Sequence, residues 1–240
     1  VLIGAQGVLG ADNNTEDNSV GIGYNVTVLP TNLAGTDHVL IGGSAKANTN
    51  AGGNRQDNMI GIGAYCSVAR SGAIVIGGAP STGSQAKATQ FGAIAIGSDD
   101  DTHNGAQATA NYAVALGAGT VAAHASASAV GVAAATPKAN QVILGTVTEE
   151  VTHPGGVEYR VNPQSGTYPA TRFDAYIRAT AGVGGFTITL PAASATGQRL
   201  VIKKVDSGIG TITIARAGSD TIDGATSVLL VAQYAEWEGI

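Results

Sequence analysis

The stretch that decides the fold runs from Gly92 to Gly117. It reads Gly92-Ala93-Ile94-Ala95-Ile96-Gly97, then Ala106-Gln107-Ala108, then Tyr112-Ala113-Val114-Ala115-Leu116-Gly117. Side chains alternate across a strand with period two, so the apolar pair in each unit lies on one face of a short strand. The glycine that closes each unit supplies a backbone position without Cβ, as a tight corner needs. In Ala106-Gln107-Ala108 the small residues take one face and the polar residue takes the other. One period therefore reads as two short strands and two turns, one coil of a repeat protein.

Outward from this stretch the unit recurs along the first 145 residues. Copies are Val1-Leu2-Ile3-Gly4, Val20-Gly21-Ile22-Gly23, Val39-Leu40-Ile41-Gly42, Ile60-Gly61-Ile62-Gly63, Ile74-Val75-Ile76-Gly77 and Val142-Ile143-Leu144-Gly145. A degenerate copy is placed at Val130-Gly131-Val132-Ala133. The last residues of successive units are then 19, 19, 21, 14, 20, 20, 16 and 12 apart. Alternating stretches follow most copies: Ala45-Lys46-Ala47, Ala86-Lys87-Ala88 and the longer Ala123–Ala129. Alanine favours helix, but the strict alternation over 123–129 and the flanking Gly131 and Pro137 select strand. The interval of 14 from Gly63 to Gly77 approaches the least that two strands and two corners require. Longer intervals must bulge from an unchanged coil as polar loops at 12–19, 29–37, 48–58, 80–84 and 98–105. Nine coils at about 4.8 Å per step make a rod of roughly 40 Å.

Composition agrees with a thin, layered interior. Glycine occurs 35 times, aromatics make up 5% of the chain, and 44% of it is apolar, so small and β-branched side chains must fill the core. The net charge of −5 and the scattered Lys and Arg leave no footprint for nucleic acid. No apolar run reaches the roughly 18 residues of a membrane helix. The lone Cys66 precludes an intrachain disulfide framework and reads as a buried thiol. Val1 falls directly on the motif, so the chain is expected to be part of a longer protein.

The run from Gly92 to Gly117 resembles the head repeat of the YadA-like trimeric autotransporter adhesins, and the resemblance extends over residues 1–145. It implies a left-handed parallel β-roll in which three chains pack about one axis. A homotrimer also has a physical rationale, since a thin coil alone is expected to leave its alanine faces wet. After Gly145 the repeat stops. Residues 147–156 read as a connector, and strand-like runs follow at Val157–Val161, Ala175–Ala179, Phe186–Leu190, Arg199–Val205, Gly210–Ala215 and Val228–Ala232. Their turn-rich spacing predicts a small antiparallel β-sandwich-like domain over 157–240. Phe186–Pro191 with Gly197–Lys204, and Thr211–Ile214 with Asp220–Gly224, resemble a β-domain recurrent in phage tail-fibre proteins. That pattern predicts another strand and turn beyond Trp237. The expected organisation is thus all-β: a repeat region at 1–146, the connector, and a C-terminal β-domain.

Catalytic signals are weak. Gly21-Ile22-Gly23 and Gly61-Ile62-Gly63 begin like a dinucleotide loop, but the third glycine and the following helix are missing. His38, His103, His124 and His153 have no metal-ligand spacing and read as surface or turn residues. Asp99-Asp100-Asp101 has the charge for Ca²⁺ but no liganding scaffold, so a solvated turn is the preferred reading. A glycosidase needs two carboxyl groups about 5–9.5 Å apart in a cleft. Glu149, Glu150, Asp57 and the 99–101 group have no pairing signal. The expected protein is therefore a non-enzymatic phage fibre segment of the virion, with no cofactor or metal. Its expected partners are two further copies, other virion proteins, and a bacterial surface glycan or protein receptor. Inserted loops would make the receptor contacts, with Tyr24, Asn50, Arg55, Tyr65 and Asp100 as candidates. The alternatives are a bacterial trimeric adhesin fragment on the cell surface, which should continue into a stalk and membrane barrel, and a purely structural virion connector.

Overall fold

A computed structural model describes residues 1–4, 19–28, 37–47, 57–81, 83–148, 150–152, 155, 157–193 and 199–239. Among these residues the chain is all-β, and it divides into two compact units, Val1–Thr152 and His153–Ile240.

In the first unit the motif strands form one parallel sheet. In order these are Leu2–Ile3, Val20–Ile22, Val39–Ile41, Ile60–Ile62, Ile74–Ile76, Ile94–Ile96, Val114–Leu116, Ser128–Val130 and Val142–Leu144. The alternating stretches supply the second parallel sheet: Thr27–Val28, Lys46–Ala47, Ser67–Val68, Lys87–Ala88, Gln107–Ala108 and Val121–Ala122. Between Val20 and Val130 the chain passes from one sheet to the other and back with each period. Equivalent residues of successive copies therefore stack in register, as in Ile74↔Ile94↔Val114 and Ile76↔Ile96↔Leu116.

The core between the two sheets is one side chain deep from each. The middle residue of each motif strand points inward, and Leu40, Val75, Ala95, Ala115 and Ala129 are completely buried. Opposite them lie Ala45, Ala47, Val68, Ala86, Ala88, Ala106 and Ala108, also completely buried. The alanine faces are thus the interior of a single chain, which corrects the expectation that they stay wet until another chain covers them. A coil of about 14 residues has room between its walls for methyl groups and little more, so the small residues go inside.

Glycine closes each strand for a steric reason. Gly97, Gly117 and Gly131 have φ of +156°, +126° and +113°, a region that L side chains rarely adopt. The glycines also stack: a Cβ on Gly97 would lie 2.5 Å from the Gly117 carbonyl carbon, and one on Gly117 would lie 2.5 Å from the Gly131 oxygen. This column corrects the degenerate copy. The eighth strand is Ser128-Ala129-Val130, and Gly131 closes it. The intervals from Gly117 to Gly131 and from Gly131 to Gly145 are then both 14 (131 − 117 and 145 − 131). Ala123–Ala129 is accordingly not one strand, because the chain turns at His124–Ser126, with Ser126 at φ +54°. Ser and Asn tolerate this corner conformation, which the alternation pattern does not reveal.

The second unit is built the same way, which overturns the antiparallel expectation. One sheet takes Val161–Gln164, Tyr176–Ala179, Leu200–Lys204 and Glu236–Gly239; the other takes Tyr168–Pro169, Phe186–Thr189, Ile212–Ala215 and Ser227–Leu230. The first three strands of each sheet pair in parallel, and only the last strand of each pairs antiparallel. Successive runs do not form hairpins because each turn sends the chain across to the opposite sheet. The first strand begins at Val161, where the run expected over Val157–Val161 ends. Tyr168–Pro169 is an additional strand, and Trp237 itself lies in the last described strand, Glu236–Gly239. Ile177, Ile188, Ile202, Ile212 and Ile214 fill the core without exposure.

Two polar clusters are buried in this unit. Lys204 is completely buried, and its Nζ donates to the carbonyls of Asp206 and Gly208 (2.8 Å each) and to Asp206 Oδ1 (3.2 Å). Asp174 accepts hydrogen bonds from Asn162 Nδ2 (2.6 Å), Thr171 N (2.8 Å), Thr171 Oγ1 (2.9 Å) and Tyr168 Oη (3.1 Å). Both buried charges have partners, as their desolvation demands.

Candidate functional site

The middle residue of each three-residue motif strand points inward, so the first and third point out. They form two columns along the larger sheet of the first unit. One holds Val20, Val39, Ile60, Ile74, Ile94, Val114, Ser128 and Val142; the other holds Ile22, Ile41, Ile62, Ile76, Ile96, Leu116, Val130 and Leu144. Ile76 and Ile96 are 39% and 38% exposed, and Val142 and Leu144 at the last strand reach 66% and 48%. Phe91 and Tyr112, at the corners that lead into strands Ile94–Ile96 and Val114–Leu116, are also exposed. Arg70 stacks on the Phe91 ring at 5.2 Å from its centroid.

The outer face of the smaller sheet is different. Thr27, Lys46, Ser67, Lys87, Gln107 and Val121 occupy its outward positions, a column that is polar and positively charged up to Gln107 and apolar at its last strand. The same coil thus presents an aliphatic face on one side and a solvated face on the other. Eight three-residue strands about 4.8 Å apart, each two side chains wide, give a face on the order of 400 Å² that is aliphatic except at Ser128. A contiguous apolar patch of that size matches the largest patch, about 300–600 Å², that a typical monomer carries, and such patches are often functional.

The pattern is present in the sequence, but hydrophobicity alone points the wrong face inward. Val20-Gly21-Ile22 and Ile60-Gly61-Ile62 place glycine at the middle position, which only a very thin interior requires. A Cβ at Gly61 would lie 2.9 Å from Leu40 Cδ2 and 3.1 Å from Val68 Cγ2. The two flanking isoleucines are too bulky for that space and must point away from it.

Of the five candidate receptor contacts, Asn50 and Arg55 lie outside the described residues. Tyr24 is exposed at the corner after Gly23, and Tyr65 is half-buried at the equivalent corner two coils on, with φ +58°. Ser44 N donates to the Tyr24 carbonyl and Tyr65 N to the Gly43 carbonyl (2.8 Å each), so both tyrosines belong to one edge of the coil stack. Asp99 continues that edge through its bond to the Gly78 carbonyl (3.0 Å), and Asp100 follows it. The Asp100 carboxylate is turned onto its own loop: Oδ1 accepts from His103 N (2.7 Å), Thr102 Oγ1 (2.9 Å) and Thr102 N (3.2 Å). The His103 backbone bond and then the Thr102 hydroxyl pull its pKa down to about 2. Asp100 therefore shapes its turn, while the two tyrosines share a common edge.

The histidines expected at the surface behave unequally. His38 is completely buried, with its backbone N donating to Ser19 Oγ (3.2 Å) and its Nδ1 accepting from Met59 N (3.4 Å). It fills a wider part of the core where the adjacent coils carry Ser19 and Met59. His153 lies outside the described residues. Cys66 is buried in the same core, as its setting in the repeat implies. Comparison with protein-family models, curated proteins and solved structures finds no match to this chain.

Proposed function

We propose that the chain is a structural, non-enzymatic fibre segment, a left-handed parallel β-roll that assembles as a homotrimer on a phage virion and presents its edges and inserted loops to the host surface. The observation that carries this reading is the outward aliphatic face of the larger sheet. It supplies the apolar centre of an interface whose standard size is about 800 Å² per partner, while the Lys46–Lys87 face remains polar and faces water. Identical copies are the natural occupants, because three stripes of the same spacing can turn towards one threefold axis, each meeting its two neighbours in a closed ring of heterologous contacts. In this arrangement Tyr24 and Tyr65 would be repeated by symmetry, and weak contacts from one edge would add through avidity.

The test is native mass and sedimentation of the full chain. A trimer is expected, and Ile76→Lys combined with Ile96→Lys is expected to give folded monomers. Lys87→Glu on the opposite face should leave the trimer intact. A stable wild-type monomer overturns the assembly, and a trimer unaffected by the double lysine variant overturns its interface.

A further inference from the structure

The second unit contains a cleft that the fibre reading does not use. Its volume is about 250 Å³, below the roughly 300–1,000 Å³ of sites for drug-sized ligands, which suits one small ring. Leu190, Leu200 and Ile222 form its apolar floor, and Trp237 forms one wall. Trp237 is the sole tryptophan of the chain. It pairs with Ile202 across the strands, and its indole leans along the strand over Gly239. A side chain at 239 would collide with the six-membered ring, so glycine is what allows the ring to lie there and border the cleft. The ring is packed against the core and only half-buried, hence a fixed aromatic surface at the edge of a cavity.

Arg216, Asp220, Asp223 and Glu238 supply the polar part of the lining. Arg216 Nη1 donates to the Asp220 carbonyl (3.0 Å), and Asp220 Oδ2 accepts from Ala193 N (2.8 Å), so both side chains are anchored at the cleft. Asp223 stands beside them in a turn at φ +49°. Glu238 also borders the cleft, but Arg199 neutralises it in a bidentate pair (Nε to Oε1, 2.6 Å; Nη2 to Oε2, 3.0 Å). With that pair cancelled, Arg216, Asp220 and Asp223 leave one net negative charge.

We infer that this cleft binds a neutral pyranose sugar, its C–H face against Trp237 and its hydroxyls on Asp220, Asp223 and Arg216. A pyranose combines an apolar face with a rim of donors and acceptors, and the cleft is lined both by an aromatic ring and by planar carboxylate and guanidinium groups. The net negative charge disfavours acidic sugars. The site is independent of the assembly proposed above: a sugar-binding monomer would leave it standing, and a trimer that binds no sugar would overturn it alone.

Because Trp237 is the only tryptophan, the emission of the full chain reports on this cleft directly. The probes are the methyl glycosides of glucose, galactose and N-acetylglucosamine, with N-acetylneuraminic acid as the anionic control, and saturation-transfer NMR provides a second readout. At least one neutral glycoside is expected to give a saturable response in the millimolar range, with none from the acid. Asp223→Asn, which removes the charge but keeps a residue type that tolerates φ +49°, and Ala217→Arg, which obstructs the cleft, are expected to weaken binding at least tenfold without changing the melting temperature. If Trp237→Ala does not fold, these two variants still decide the question. No response to any neutral glycoside overturns the inference, as does binding that survives both variants. An equal response to N-acetylneuraminic acid overturns the assigned ligand class.

Discussion

Leu40 occupies the space that Gly61 leaves vacant on the adjacent strand. The two are in register, and a Cβ at 61 would meet Leu40 Cδ2 at 2.9 Å. Gly21 flanks Leu40 on the other side, so a large inward residue is bracketed by two glycines. Interior volume is conserved by exchange between neighbouring coils, not within each one.

This exchange predicts a strong coupling. Leu40→Ala should cost about 2–5 kcal/mol through the cavity it opens. Gly61→Ala should cost about 1–3 kcal/mol through overpacking against Leu40, Cys66 and Val68. In the Leu40→Ala background, Gly61→Ala should be neutral or stabilising, because its methyl enters the new cavity. Urea denaturation of the four proteins gives the cycle. Additive costs would show that the two positions do not share volume.

The glycine column makes a second prediction with a built-in control. Gly117 has φ +126° and would drive a Cβ to 2.5 Å from the Gly131 oxygen, which is backbone and cannot swing aside. Gly117→Ala should therefore cost more than about 3 kcal/mol, since strain and collision combine. A Cβ on Gly43, by contrast, would meet no heavy atom within 4 Å. Gly43→Ala should stay within about 0.5 kcal/mol of wild type. Thermal melting of the two variants separates a steric requirement for glycine from a merely frequent one.

These contrasts show which parts of the fold are legible in the sequence. The period, the strand-closing glycines and the pairing of small with polar residues in Ala86-Lys87-Ala88 follow from side-chain alternation, which sequence displays directly. The inward face is not legible from hydrophobicity, because Ile74 and Ile76 are more apolar than the alanines that take the core. Only volume decides that question, and the glycines at 21 and 61 carry it. The second unit departs from the antiparallel expectation for a related reason. Turn chemistry at residues such as Gly182 and Gly185 marks a change of direction but does not say whether the chain returns to the same sheet or crosses to the other. Of the candidate contacts, Tyr24 and Tyr65 share an edge because they follow the strand-closing Gly23 and Gly63 by one and two residues. The Trp237 cleft has no such signal, since tertiary packing alone brings Gly239 and Asp220 to one cleft.

A third prediction concerns alkaline stability. Burial raises the Cys66 pKa from 9.0 to about 11, outweighing the backbone hydrogen bonds that lower it. The folded state therefore holds a proton that the unfolded state releases above pH 9. A raised pKa stabilises fully below the unfolded value, and that contribution fades as pH rises from about 9 to 11. The loss from this group is on the order of 2–3 kcal/mol. Cys66→Ala should remove that part of the slope between pH 9 and 11 in urea titrations. An unchanged slope would assign it to other groups. The thiol should also resist alkylation at pH 8 until denaturant is added.

The acid limb belongs to the second unit. For Asp174, desolvation alone would raise the pKa, but the hydrogen bonds from Thr171 N, Asn162, Thr171 Oγ1 and Tyr168 outweigh it and lower the pKa below 3.8. Asp206 falls to about 2, chiefly through the Ala181 N–H, against desolvation and with help from Gly182 N–H and Lys204. Carboxyls with depressed pKa stabilise above the unfolded value near 3.8, and that contribution is lost as pH falls through the folded one. The unit should therefore lose stability from about pH 4 down towards pH 2. Asp174→Asn and Asp206→Asn should each flatten that limb and lower stability at neutral pH. Asp206→Asn should destabilise more than Lys204→Met, because it leaves the completely buried ammonium with carbonyl partners alone, whereas Lys204→Met leaves Asp206 with its backbone N–H donors. Melting temperatures between pH 2 and pH 7 test both statements, and the reverse order of the two variants would show that the Lys204 ammonium does not depend on the Asp206 carboxylate.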